Sequence, residues 1–573
     1  MARPVTNKIR KYVVKVKQKN GDTYVLERQS RYDSDKGYAV TISEKLLGKI
    51  PKGGTDVVPT RAKRKKEATD NSTEQADSSV SATRSYVGML EILDWVGKTT
   101  GIDEALKKAF PEEADALKAI SIARYLVASD GDSLPKIEEF CLTHQLPYNG
   151  ISEDMYHDLF QKIGTNENII QKYNYERARK LSNDSCIAFD STTCSTYSGN
   201  IKQGRYGYNK DNEKLPCYKV VTIYSVKDKQ PIAFTTQPGN ISDVVSVTNA
   251  IKELQFLDDN DFTFIMDNGF YSEKNIVILY NNYINFIILA NKNSKFINEQ
   301  ISSSLDELNS GESLCSFDND IHLASKQIEK KFSGNVDGEK IEITKNINIH
   351  IYKSRDRAYL YAKNIDQKIL SVMSKLKDSN YDFSDEENMI IKNFYDKEEC
   401  DNNDVKYKFK SDIYLDRLNK SGTFALISNN FTDPNNTLKW YRLRENIEDF
   451  FCMLKNNVNG KRDRVWSGEV LRGKLFIQFI ALSYYLFLYN KIDDIKTALS
   501  SEIKNNNTTK TKLEKLKNIY SWMAHKSLSQ ILVWFDCRYE MTVKSPKGQS
   551  RWASEITARD NFFLERLGVT TCN

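Results

Sequence analysis

Along the chain, the spacing of apolar positions changes period several times, and each change predicts a new kind of element. Near the start, Tyr12, Val14 and Val16 fall on one face of an alternating segment that has Lys11, Lys15 and Lys17 on the other. Asn20-Gly21 is a hairpin dipeptide, so TYVL and YAVTI are expected as further strands of a small β unit over residues 11 to 42. From Tyr86 to Leu181, segments such as VGMLEILDWVGK and ADALKAISIARYLVA repeat apolar residues at steps of three and four, which predicts helices. SCIAFD, the CYKVVTIYSVKDKQPIAFTTQ pair, FTFIMD and NFIILANK then read as strands, with a helix over SEKNIVILYNNY opened by Ser272. The order strand, strand, strand, strand, helix, strand predicts a mixed α/β layer.

From about Phe296 to Lys420 the chain turns polar and rich in lysine and asparagine. Short β-like pieces (KIEIT, NIHIYK, RAYLYAK) and one helix near Gln367 to Leu376 are expected there. GTFALISN resumes a strand, WYRLRENIEDFFCMLKNNV reads as one amphipathic helix, and the chain beyond Arg464 is expected to be mostly helical. The resulting partition is a small β unit over 1–57, a basic and polar linker over 58–84 and a helical region over 85–183. An α/β core over 184–295 and 421–490 is interrupted by an insertion over 296–420, and a helical region over 491–573 follows.

Composition narrows the function classes. Over 573 residues, 40% hydrophobic and 28% charged residues describe a chain that builds cores, in several domains. The net charge of +6 is small for this length, but it is concentrated: Arg3, Lys8, Arg10, Lys11, Lys15, Lys17 and Lys19 precede Asn20 with no acid between them, and Arg61, Lys63, Arg64, Lys65 and Lys66 form a second run. Such runs serve equally as solvated segments or as phosphate contacts. Nine cysteines and five histidines are scattered without a CxxC pair, which argues against a zinc site and fits a reducing compartment. The basic start has no apolar core of a secretory signal. LFIQFIALSYYLFLY, interrupted by Gln478 and Ser483, is short for a bilayer span and is expected as a buried helix. GKTT at Gly97 to Thr100 lacks the first glycine and the strand of a phosphate loop, since Ile92 stands at the glycine position.

Candidate chemistry lies where apolar runs end. Asp190 closes SCIAFD and Asp267 closes FTFIMD, and active groups of α/β sheets gather at strand ends. If those strands are parallel neighbours, the two carboxylates lie side by side and repel unless a cation intervenes. At about 100° per residue, Tyr441, Arg444, Glu448 and Lys455 share an arc of roughly 60°, separate from the Leu443, Ile447, Phe450, Phe451 and Leu454 arc that would face a core. A turn residue after each strand and a solvated Arg–Glu pair on the helix are the plainer accounts of the same residues. Read jointly, Asp190, Asp267 and Glu448 form an oxygen-donor set suited to two Mg²⁺ ions, with Mn²⁺ able to substitute.

These residues resemble the DDE transposases of bacterial insertion sequences, and within them the insertion-sequence-four-like group marked by Y-x2-R-x3-E-x6-K. YRLRENIEDFFCMLK carries all four positions as Tyr441, Arg444, Glu448 and Lys455. AFDSTT and MDNGFYS are similar to the segments bearing the family's two aspartates, and RGKLFIQFIALSYYL to the helix that follows the glutamate. The resemblance spans roughly Ser185 to Tyr489. It implies an RNase H-like catalytic core interrupted by a β-rich insertion and flanked by helical regions. It also implies Mg²⁺-dependent cut-and-paste transposition: nicking at element ends, then transfer of the freed 3′-OH into target DNA. Asp190, Asp267 and Glu448 would be catalytic and metal-binding, and Tyr441, Arg444 and Lys455 would contact DNA. The implied partners are the terminal inverted repeats, the target DNA and a second copy of the chain in a synaptic homodimer, with no membrane, in a bacterial cytoplasm at the nucleoid. Asn268 stands where the family has arginine, and the insertion contains no tryptophan, leaving Tyr352, Tyr359 or Tyr361 as aromatic candidates to stack on a flipped base. An RNase H-like endonuclease that cuts without joining, and a catalytically disabled DNA-binding relative, share much of this pattern.

Overall fold

The computed structural model describes residues 10–17, 22–33, 38–57, 80–180, 186–242, 245, 247–248, 262–336, 338–376, 381–399, 405–458, 460–504, 509–545 and 548–569. The chain divides into two compact units, Met1–Ser78 and Ser79–Asn573. The first is an antiparallel sheet of β1 (Arg10–Lys17), β2 (Thr23–Asp33) and β3 (Tyr38–Ile50) in that order. Its strands are where the alternation put them, but β2 and β3 run well past TYVL and YAVTI. The Asn20-Gly21 turn and the second basic run lie outside the described residues.

The second unit begins with β4 (Ser81–Tyr86), which pairs antiparallel with β17 (Tyr539–Ser545). The linker reading of 58–84 therefore fails for its last residues. Their polar side chains are exposed, and their backbone groups are satisfied by a strand from the far end of the sequence. Six α-helices follow between Gly88 and Ala178, as the three- and four-residue spacing predicts. Gly97 to Thr100 form the last turn of the first, capped by Gly101 at φ 68°, and no phosphate loop exists there.

The central sheet explains the continuous apolar runs. Its order is β10–β11–β12–β15–β9–β8–β5–β6–β7, comprising β5 (Cys186–Thr196), β6 (Cys217–Ser225), β7 (Gln230–Pro238), β8 (Thr263–Met266), β9 (Asn285–Leu289), β10 (Leu314–Cys315), β11 (Asp318–Val336), β12 (Glu339–Ser354) and β15 (Thr423–Ser428). β5 pairs antiparallel with β6 and parallel with β8, and β8 pairs parallel with β9. Both faces are covered, so successive residues enter different cores. Ile187 and Phe189 pack with Phe264, Met266 and Ile288 on one side. Cys186 and Ala188 pack on the other, with Ile447, Phe450 and Leu454. By this alternation Asp190 belongs to the second face, beneath the helix that carries Glu448.

The segment 296–420 differs from its expected form in two ways. RAYLYAK is helical, not β: it opens the helix Arg355–Lys375, whose start is fixed by Ser354 accepting from the Arg357 amide at 3.1 Å and Asp320 accepting from the Asp356 amide at 2.7 Å. The segment is also not a detached module. The β11–β12 hairpin joins the main sheet, because β12 pairs with β15 and β15 with β9, both antiparallel. Only the helices and the β13 (Tyr395–Glu399)–β14 (Val405–Phe409) hairpin beyond them have a separate small core around Ile369, Val372 and Phe394.

Gly468–Lys504 is a single 37-residue helix, long and apolar enough to cross a membrane, yet 78% of its apolar window is buried inside the protein. It is a core helix. Gly473 lets it approach the helix Glu153–Thr165, where a Cβ would stand 2.0 Å from the Phe160 carbonyl oxygen. The C-terminal region is not all helical, since β17 and β18 (Gly548–Ala553) form a hairpin.

Candidate active site

Asp190 is not at the end of its strand. β5 continues to Thr196, and what ends after Phe189 is its pairing with β8, whose last partner is Met266. Asp267 is the next residue of β8's chain, so the two aspartates sit at corresponding positions where two parallel strands part. Each carboxylate accepts from the amide of its own successor: Asp190 from Ser191 at 2.7 Å and Asp267 from Asn268 at 2.8 Å. Beyond the gap, β5 regains a parallel partner in β16 (Arg462–Asp463).

The expected single helix over Trp440–Val458 is two helices, Pro434–Leu443 and Asn446–Asn456, joined at Arg444 and Glu445. The chain does not kink away. It tightens, with i→i−3 bonds from the amides of Arg444, Glu445, Ile447 and Glu448 to Tyr441, Arg442, Arg444 and Glu445. This overwinding breaks the uniform 100° step. Leu443, expected on the core face, is 38% exposed, while Arg444 turns inward and is only 7% exposed. Ile447, Phe450, Phe451 and Leu454 stay buried and hold the second helix on the sheet.

Arg444 is the hub of the site. Its Nη1 donates to Asp190 Oδ2 at 3.0 Å, its Nη2 donates to Glu448 Oε1 at 3.3 Å, and Nη2 lies 4.0 Å from Asp267 Oδ2. Tyr441 completes the ring by donating its hydroxyl to Asp267 Oδ1 at 3.2 Å. Burial pushes the Asp190 carboxyl above its ordinary value, against the pull of Lys210 and Arg444. Burial alone would lower Arg444, but Tyr441 and the three carboxylates together hold it above its usual value. Tyr441 is raised by burial and then by Asp267, so it remains a donor.

Lys455 does not join this cluster. It lies on the same helix but pairs with Asp211 at 2.8 Å, in the connection between β5 and β6. Sequence reasoning missed that connection. Its Lys210 reaches under Asp190 and donates to the Ser191 carbonyl at 2.5 Å. The YNKDNEK stretch carries no periodic signal, and only its charge density could have drawn notice. Of the aromatic candidates in 296–420, Tyr352 is fully buried, donating to the Pro434 carbonyl at 2.8 Å, whereas Tyr359 and Tyr361 are exposed on a helix.

The family model described as Transposase DDE domain matches residues 181–484, more than half of the chain and all six residues singled out above. The chain belongs to the transposase DDE domain family. It is therefore a DDE transposase by family, of a class of enzymes that cut and transfer DNA strands. No curated protein matches it. Among solved structures it is similar to the piggyBac transposase in a synaptic complex with hairpin DNA, at 11% identity, covering 78% of this chain and 82% of that one, with a TM-score of 0.33. Within the matched domain, the three carboxylates face one guanidinium rather than one another. Among the described residues no group of three His, Cys, Asp or Glu side chains is already close enough to hold a metal ion.

Proposed function

We propose that the protein cleaves DNA at the ends of a mobile element and transfers the freed 3′-OH into target DNA, using Asp190, Asp267 and Glu448. One observation carries the reading: three acids separated by up to 258 positions in sequence, one within a strand, one just past a strand and one on a helix, converge on a single buried cation inside a transposase DDE domain. The sheet supports an RNase H-like core, since β7–β6–β5–β8–β9 run side by side with the first three antiparallel and the last three parallel. The YREK-type spacing, the bacterial insertion-sequence setting, the synaptic homodimer and the cytoplasmic location belong to the same proposal.

The donor chemistry fits divalent cations. All three acids offer hard oxygens, and all three already face positive charge. Asp190, Asp267 and Glu448 would hold two Mg²⁺ ions, whose chemistry is to activate the attacking oxygen and stabilise the leaving one in an in-line phosphoryl displacement. The chain's own groups do the rest. Tyr441 fixes one Asp267 oxygen and leaves the other directed at the cluster. Arg444, released from the carboxylates, has the planar fork that grips a phosphodiester. Lys455, two helical turns beyond Glu448, would contact a phosphate further along the strand once released from Asp211.

The test pairs a cleavage assay on uncut element ends with a strand-transfer assay on precut ones. Joined products that require Mg²⁺ or Mn²⁺ are expected. Cleavage without joining would favour an endonuclease. Asp190→Asn, Asp267→Asn and Glu448→Gln should each abolish both steps while leaving end binding intact; normal cutting by any of them overturns the site.

A further inference from the structure

The connection between β5 and β6 brings two acids to the far end of the Glu448 helix. Asp211 pairs with Lys455 at 2.8 Å, and Glu213 accepts from Arg462 Nε at 2.9 Å. Lys455 belongs to the last turn of the helix Asn446–Asn456, and Arg462 opens β16 beyond it. The Lys455 and Glu213 side chains are each only 12% exposed, so these pairs are screened less than open surface pairs.

The turn that carries the acids is pinned to β5. Asn209 is buried and donates its Nδ2 to Ser195 Oγ at 3.0 Å, and the Lys210 amide donates to Thr193 Oγ1 at 2.9 Å. Asn209 then closes the turn: its Oδ1 accepts from the Asp211 amide at 2.9 Å and its carbonyl from the Asn212 amide at 3.0 Å. Asn212 sits at φ 55°, in the left-handed region that few side chains other than Asn and Asp tolerate. The carboxylates are thus held on a fixed backbone, whereas Lys455 and Arg462 have long flexible stems that can turn toward another anion.

Neither acid belongs to the cluster around Arg444, so a metal ion entering that cluster leaves both pairs in place. DNA arriving at the cluster meets two cations that are already neutralised. A phosphate takes Lys455 or Arg462 only in exchange for a carboxylate, and that carboxylate stays nearby and repels it.

We propose that Asp211 and Glu213 form an autoinhibitory strap, standing in for DNA phosphates on Lys455 and Arg462 until a DNA backbone displaces them. The inference rests on the DNA-processing reading above, in which Lys455 contacts the strand.

The experiment measures fluorescence anisotropy of the full chain with a labelled duplex of about 20 base pairs across a salt series; the phosphate contribution does not depend on sequence. In the wild type each freed carboxylate takes up a cation as the bound phosphate sheds one. Asp211→Asn with Glu213→Gln should therefore steepen the plot of log affinity against log salt by about 1.8, from about 0.9 per pair. The advantage of this variant over wild type should accordingly grow about 60-fold between about 1 M and 0.1 M salt. In a Lys455→Met background Asp211→Asn should add nothing, and in Arg462→Met the same holds for Glu213→Gln; these double-mutant cycles separate the two pairs from a general change of charge. A gain that persists without its cation overturns the strap, as does an unchanged slope or weaker binding by the amide variant. Asp211→Ser with Glu213→Ser carries the same expectation if circular dichroism shows the amide variant unfolded. If neither wild type nor variant binds the duplex at about 0.05 M salt, the DNA reading itself fails, so the two failures are distinguishable.

Discussion

Replacing Arg444 with methionine should make the protein bind divalent cations more tightly, although the residue sits at the centre of the site. A divalent ion entering the carboxylate cluster has to displace the guanidinium. The contact with Asp190, 3.0 Å long and buried on both sides, contributes about 2 kcal/mol as a charge-assisted hydrogen bond. Glu448 and Asp267 are 63% and 44% exposed at the side chain, so solvent screening limits their joint share to about 0.5 kcal/mol. The sum, about 2.5 kcal/mol, corresponds to a dissociation constant roughly 50- to 100-fold lower in Arg444→Met. Calorimetric titration of DNA-free protein with Mn²⁺ measures it, with circular dichroism as the check on folding and Arg444→Lys, which keeps the charge, as the control expected within a few-fold of wild type. Equal or weaker Mn²⁺ binding by Arg444→Met would refute the view that guanidinium and metal compete for the same oxygens.

Other outcomes follow from individual contacts. Tyr441→Phe removes the 3.2 Å bond to Asp267 and should lower the cleavage rate about 5- to 10-fold, the effect of about 1 kcal/mol, with end binding little changed in a gel-shift assay. Lys474→Met strands Asp463, which is fully buried and otherwise held by the Tyr218 hydroxyl, and should cost about 3–5 kcal/mol in chemical denaturation. Adding Asp463→Asn should recover part of that loss, and a strictly additive double variant would show that the pair is not coupled. Gly473→Ala places a methyl against the Phe160 backbone and should destabilise by about 2–3 kcal/mol or leave the protein insoluble, whereas Ala481→Gly in the same helix should cost only about 1 kcal/mol.

What the sequence made legible was whatever had a period. The strands around Asp190 and Asp267 are apolar on both faces and were read from their continuous runs, and the Glu448 helix from its Ile447–Phe450–Phe451–Leu454 stripe. Their side-by-side placement followed from parallel pairing. The break at Arg444 was not legible, because Arg-Glu-Asn is ordinary helix chemistry and the carboxylates that the inward-turned Arg444 meets are more than 170 positions away. RAYLYAK misled because alternating tyrosines suit a strand, while the start of its helix is fixed by Asp320, at the beginning of β11. Lys210 escaped notice because its role depends only on where an irregular connection returns to the sheet. β4 was hidden for a similar reason: SATRSY has no apolar face, and its partner is 459 positions on.

That last pairing sets a clock on biosynthesis. The strand that opens the second unit leaves the ribosome early, and the one it must meet is made 459 residues later. At 5–20 residues per second the wait is about 20 to 90 s, during which the helices after β4 lack this clasp. A message truncated after the codon of Glu448 but before that of Tyr539 would still encode all three acids of the carboxylate cluster but would leave the strand that opens the second unit unmated. Only a molecule translated past Ser545 can fasten β4 to its partner strand.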